Sequence, residues 1–157
     1  MTLGTQTLYD WLLFLHVLAT MVWVGGGVLL AALSIRVLRD PDPTAVGRFV
    51  GSLRVLGPAI LAPATVAVLG LGIGLVVDSD AWDFGQLWVR LGLGLFAAAF
   101  LIGAVWQSRT ALAATRAATR ADDADARRQL RRWSWGYRLI VLLLVVAAWD
   151  MTTKPGL

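Results

Sequence analysis

The chain has 157 residues, of which 58% are apolar and 15% charged, and its mean hydropathy is +0.71. A water-soluble domain of this size carries about 25% charged and about 45–50% apolar residues, so an ordinary globular composition is excluded. Cysteine is absent, which removes disulfides, zinc ribbons, iron–sulfur clusters and thiol catalysis. The net charge of +4 comes from thirteen arginines and Lys154 set against ten aspartates.

Four long apolar runs follow one another. Trp11 to Ile35 has no formal charge, and His16 is its one ionisable group. Val55 to Val77 is a second run, Gln86 to Ser108 a third broken by Arg90, and Trp133 to Trp149 a fourth interrupted by Arg138. A helix needs about 20 residues to cross roughly 30 Å of hydrocarbon, and the fourth run suffices if Arg138 snorkels to the headgroups. The expectation is one all-α integral membrane domain over residues 1–157, an antiparallel bundle of four transmembrane helices near 9–36, 55–77, 86–108 and 133–152. The first run lacks the basic flank of a cleaved signal sequence and is read as a span.

The connections carry their own signals. Asp42-Pro43-Thr44 reads as a helix start, with Asp42 as N-cap and Pro43 in the first turn. Val46, Phe49, Val50 and Leu53 then recur at helical spacing, which predicts an amphipathic lead-in to the second span. Asp122, Asp123 and Asp125 precede four arginines, so a new helix begins near Asp122. Residues 109–132 are thus expected to form a helical hairpin that turns near Ala121 and projects into the cytoplasm. Arginines crowd the first and third connections, whereas Asp78 to Phe84 holds three aspartates and no base. Positive charge marks the cytoplasmic side, which predicts an inner (plasma) membrane protein with both termini outside the cytoplasm. These arginines are read as a face meeting anionic lipid and not as a nucleic-acid surface.

Polar groups at membrane depth are costly and mark where function is sought. His16, Thr20, Trp23, Gly27 and Ser34 share one face of the first span, and Arg90, Asp150 and Asp10 fall in the same extracytoplasmic half. The plain reading of His16 is a hydrogen-bonded packing histidine, and that of Arg90 a snorkelling anchor or a partner of Asp150 or Asp10. The sharper reading makes His16 an axial metal ligand, since a neutral imidazole inside a bundle is how helical proteins hold haem iron. One histidine per chain then requires five-coordinate iron, a homodimer, or a second ligand from Met21 or Met151. Glycines and alanines at spacings of four, such as Gly70 with Gly74 and Ala99 with Gly103, read as helix-packing positions. Pro58 and Pro63 predict a kink in the second span. No nucleophile–base pair, carboxylate pair or phosphate-binding glycine loop occurs.

Leu15-His16-Val17-Leu18, Trp23-Val24-Gly25-Gly26, Arg54 with Gly57-Pro58-Ala59, Trp88-Val89-Arg90-Leu91 and Lys154-Pro155-Gly156 together resemble a bacterial family of predicted integral membrane proteins of unknown function. A more distant similarity extends to the copper-resistance D membrane domain and the HemJ-type protoporphyrinogen oxidases. The HemJ-type resemblance implies that His16 falls on a haem-ligand position and that Arg90 falls where that family has an essential lysine. Arginine stays protonated and is a poor metal ligand, so Arg90 is suited to clamping a propionate or another carboxylate. The leading expectation is a b-type haem protein with His16 as ligand, Arg90 as clamp, and Thr20 and Trp23 lining the pocket. If it is an enzyme, it is a haem-dependent membrane oxidoreductase. The alternatives are a cofactor-free accessory subunit of a larger membrane complex and transport of copper or a small solute, which the shortage of methionine and histidine disfavours.

Overall fold

The computed structural model describes residues 7–156. They form four long helices: α1 (Leu8–Arg39), α2 (Ala45–Val77), α3 (Leu87–Thr119) and α4 (Asp123–Thr153). No strand occurs among the described residues. Each helix is long and apolar enough to span a membrane, in agreement with the four-span all-α reading. At 1.5 Å per residue, the 32 residues of α1 run about 48 Å, so turns extend beyond the hydrocarbon.

Those extra turns build a layer of their own. α1 packs along α2 and α4, α3 packs along α4, and the first turns of α2, Ala45–Leu56, lie on the last turns of α3, Ser108–Thr119. At this arginine-rich end Val46 and Val50 of α2 join Ala114 and Ala117 of α3 and Leu130 and Trp133 of α4 in one buried cluster. The amphipathic lead-in is therefore present and buries the expected face. The hairpin over 109–132 also forms, with Ala121 at its turn in the left-handed region at φ 57°. It does not project alone. Ala114 and Ala117 are fully buried, and α2 comes so close that a Cβ on Gly47 would sit 3.7 Å from Ala118 Cβ. Small side chains let these helices lie flush, so one face of the hairpin is buried while its turn, 119–124, stays exposed.

Two helix starts carry local hydrogen bonds. At α1 the Thr7 hydroxyl accepts from the Asp10 N–H at 3.3 Å while the Asp10 carboxylate accepts from the Thr7 N–H at 2.9 Å, a reciprocal capping box. Asp10 is thereby engaged at the surface. At α4 the Asp122 carboxylate accepts from the Asp125 N–H at 3.0 Å, which places the N-cap at the expected residue. The start of α2 differs from expectation: Thr44 is the N-cap, and Pro43 precedes the helix. Asp42 accepts from the Thr44 N–H and hydroxyl, both at 2.8 Å, and so forms an Asx turn that leads into the helix. Arg127 of α4 fastens this connection by donating to the carbonyls of Leu38 at 3.3 Å, Asp40 at 2.8 Å and Asp42 at 3.2 Å.

The opposite, acidic end is closed by aromatic contacts. Trp82 Nε1 donates to the Tyr9 hydroxyl at 3.3 Å, and the Lys154 ammonium lies 3.7 Å from the Trp82 ring centroid and 5.4 Å from that of Trp88. The connection between α2 and α3 is tied in this way to the start of α1 and the end of α4.

Neither middle helix is regular. α2 widens into a π-helical turn at Gly57–Leu61, which contains Pro58, and α3 does so at Ile102–Gln107. Proline lacks an N–H and crowds the carbonyl four residues back, so a wider turn relieves α2 at the expected kink. The turn in α3 contains no proline, and the sequence does not announce it.

The Asp42 turn has a pH signature. The Thr44 N–H foremost, then the Thr44 hydroxyl and Arg48, hold the Asp42 carboxyl down to about 2 from its usual 3.8. A carboxyl with a depressed folded value stabilises the protein above 3.8, and this contribution disappears as the pH falls through about 2. Asp42→Asn keeps an acceptor for the turn and lacks the charge. Its melting temperature should lie below that of the native protein near neutrality, and the gap should close over that acid window.

Candidate functional site

The predicted stripe of α1 faces the bundle: His16, Trp23, Gly27 and Ser34 are buried and Thr20 half-buried, and Leu30 is buried beside them. Ser34 and Ser134 of α4 are both buried, and their hydroxyls are hydrogen-bonded at 2.9 Å. Gly27 lets Tyr137 approach, since an added Cβ would meet its Cε1 at 3.2 Å.

His16 is 7% exposed and turns toward α2. Its ring occupies the space above Gly72, where an added Cβ would stand 3.1 Å from Cε1 and 3.5 Å from Nδ1. Its Nδ1 is buried without a hydrogen-bond partner. The Thr20 hydroxyl donates to the His16 carbonyl at 2.8 Å, a bond within the helix that leaves it no free proton to offer. Trp23 packs on Phe96 of α3, with ring centroids 5.4 Å apart, in a mid-bundle cluster with Val68, Ala99 and Ile140.

Arg90 is not brought to His16. It is exposed on α3, and its half of α3 packs against α4, whereas His16 looks into the α1–α2 contact. Neither Asp10 nor Asp150 forms an ion pair with Arg90 among the described residues; the pairs present are Arg48 with Asp42 and Arg128 with Asp125. Asp150 is 2% exposed, and a Cβ on Gly92 of α3 would stand 3.4 Å from its Oδ2. Both of its carboxylate oxygens lack partners. Met21 is 65% exposed, on the side of α1 away from His16. The fit to haem at His16 is therefore limited by space. As the helices pack, Nδ1 faces Gly72 too closely for a macrocycle, and α1 and α2 must part to admit one.

A different site lies between α2 and α3, around their two π turns. Beyond Ala45–Leu56 these helices stop packing against each other, and a cleft of about 460 Å³ opens between them. Gly57, Pro58 and Leu61 form one lip, Gly103, Ala104 and Gln107 the other, and Trp133 and Tyr137 of α4 the floor. The lining is apolar and aromatic with few polar groups, and it holds no charged side chain. This is the character of a site for a lipid-soluble ligand.

Gln107 is the polar group of this cleft that sequence reasoning missed. It ends the π turn of α3, is 6% exposed, and neither its amide nitrogen nor its oxygen has a partner. Of the three hydroxyls in the lining, two are spent within their helices, Thr65 on the Leu61 carbonyl at 2.8 Å and Ser108 on that of Gly103 at 3.5 Å, while that of Tyr137 makes no hydrogen bond among the described residues. An unpaired buried polar group costs about 1–3 kcal/mol, which gives the exception a cause to be sought. Its signal in the sequence was an uncharged amide four residues after Gly103, overshadowed by the formal charges of Arg90 and Arg109.

Gly136 sets the depth of that wall. A Cβ added there would meet Trp106 Cδ1 at 2.8 Å and Gln107 Oε1 at 3.0 Å, and Trp106 Nε1 donates to the Arg132 carbonyl at 3.3 Å. Gly136→Val must push α3 away from α4. Thermal denaturation in detergent should show a loss of about 1–3 kcal/mol; a variant as stable as the native protein would contradict this close contact.

A family model described as a predicted integral membrane protein, DUF2269, matches residues 10–155. No curated protein and no solved structure matches the chain. With four membrane-crossing helices inside a match that covers nearly its whole length, the chain belongs to the DUF2269 family of predicted integral membrane proteins.

Proposed function

We propose that this integral membrane protein binds a lipid-soluble molecule, which enters sideways from the bilayer between α2 and α3. The observation that carries this reading is the cleft of about 460 Å³ flanked by two π turns, with an unpartnered carboxamide in its largely apolar wall. π turns are uncommon and cluster at functional sites. Gly103 and Ala104 border the cleft, and their small size leaves its mouth open. The arginine distribution supports an inner-membrane topology with the cleft's Gln107 nearer the cytoplasmic side and His16 in the extracytoplasmic half. Gly103→Leu fills the cleft, and a Cβ there stands a comfortable 4.0 Å from Ile140. Organic extraction of the purified protein should yield a co-purified apolar molecule that falls about tenfold in this variant while helicity is kept. Equal recovery from both proteins would overturn the assignment.

A second reading rests on His16, whose Nδ1 is buried without a partner. A neutral imidazole is a ligand that haem iron accepts, and b-type haem would supply redox chemistry that these side chains lack. This reading requires α1 and α2 to separate at Gly72, and His16 alone of the expected pair would hold the group, since Arg90 lies apart on α3. Purified protein should then show a Soret band that is absent from His16→Ala. A colourless preparation that takes up no added haem would end it.

A further inference from the structure

The chemistry of the cleft's walls narrows its occupant, given the binding role proposed above. Gln107 lines the cleft, and its amide carries one acceptor and one donor group, both buried and unpartnered, with Oε1 turned to Gly136; the Tyr137 hydroxyl on the floor also makes no hydrogen bond among the described residues. Leucine has nearly the same volume and would leave nothing unsatisfied in this place. A glutamine is matched by a ligand head that gives one hydrogen bond to the amide oxygen and takes one from the amide nitrogen. Because the lining holds no charged side chain, a charged head would be left without a counter-ion in a low-dielectric site.

The floor adds shape to this chemistry. The rings of Trp133 and Tyr137 lie with centroids 4.7 Å apart and planes tilted by 32°, and both line the cleft. Trp23 and Phe100 bring further ring surface to the same space. Aromatic walls favour a flat ring in offset or edge contact. Leu53, Leu61 and Val66 leave an aliphatic track beside it, and the volume of about 460 Å³ suits a ring with part of a tail.

We infer that the cleft takes an uncharged phenol-type molecule with an aliphatic tail, an alkylphenol or hydroquinone, whose ring hydroxyl bonds the Gln107 carboxamide and whose ring lies on Trp133 and Tyr137. The amide end of Gln107 turns from Gly136 into the cleft when the ligand arrives. No electron transfer is part of this assignment.

Three probes with one tail separate the contributions: 4-decylphenol donates and accepts, 4-decylanisole only accepts, and decylbenzene does neither. The full chain in phosphatidylcholine nanodiscs is loaded with each, and the probe retained per protein is measured by mass spectrometry. The native protein should hold the phenol about tenfold better than decylbenzene, with the anisole between them. Gln107→Leu should bring the three together while decylbenzene stays bound, and Gln107→Met should repeat this with an unbranched chain. Equal retention of the three by the native protein, or an undiminished preference in both variants, would overturn the inference. Gly103→Leu separates the two levels. If it still holds every probe, the cleft itself is wrongly assigned; if it loses all of them while the native protein shows no preference, only the ligand class falls.

Discussion

Hydrocarbon neither donates nor accepts a hydrogen bond, and every feature of this molecule answers to that. The backbone has to satisfy itself, so the described chain is helical through nearly its whole length. Lipid tails are as apolar as leucine, so helices gain little by hiding apolar faces from them and associate through close packing and side-chain bonds. Gly27 under Tyr137, Gly72 under His16 and Gly136 under Trp106 are the places where one backbone admits a neighbour's ring. The Ser34–Ser134 bond and the Arg127 fork add directional contacts where α1 and its connection meet α4. The exposed leucines and valines of α1, among them Leu18 and Val22, and its Phe14 then need no protein partner.

The same constraint decides which polar residues stand out. Threonines return their hydroxyls to the preceding turn, as Thr20, Thr65, Thr110 and Thr115 do, and vanish as polar groups. His16 Nδ1, the Gln107 amide and the Asp150 carboxylate have no such outlet. His16 lies between α1 and α2, whereas Gln107 and Asp150 lie between α3 and α4, Gln107 at the border of the α2–α3 cleft. The one of them beside a sizeable space is Gln107, and this is why the functional reading rests there and not on the histidine.

Much of the fold was legible in the residues. Long apolar runs announced four helices of membrane-crossing length, the His16–Ser34 periodicity found the buried face of α1, and the aspartates at 122–125 marked the start of α4. These are local properties, set by hydropathy, helical pitch and capping. The site was less legible. Arg90 attracted notice through its charge, yet a guanidinium near a helix end is free to lie on the surface, as it does. A π turn inserts a residue into the helical register, so faces projected at 3.6 residues per turn lose their phase beyond it. Pro58 signalled such an interruption in α2; nothing comparable marks α3, and the inward direction of Gln107 was hidden with it. The Asx turn at Asp42 shows the same limit on a small scale, since Asp-Pro-Thr permits either a cap or a turn before the cap.

The way α2 and α3 meet has a mechanical corollary. Their arginine-rich ends are clamped together by Val46, Val50, Ala114 and Ala117, while their other halves, Ala62–Val77 and Leu87–Leu101, lean on α1 and α4. The pair is held at both ends, by that packed cluster at one and by the connection 78–86 at the other, with a widened turn partway along each arm. A guest wedged between the arms would therefore bow them apart at mid-length and leave the stacked Trp82, Trp88 and Lys154 in place.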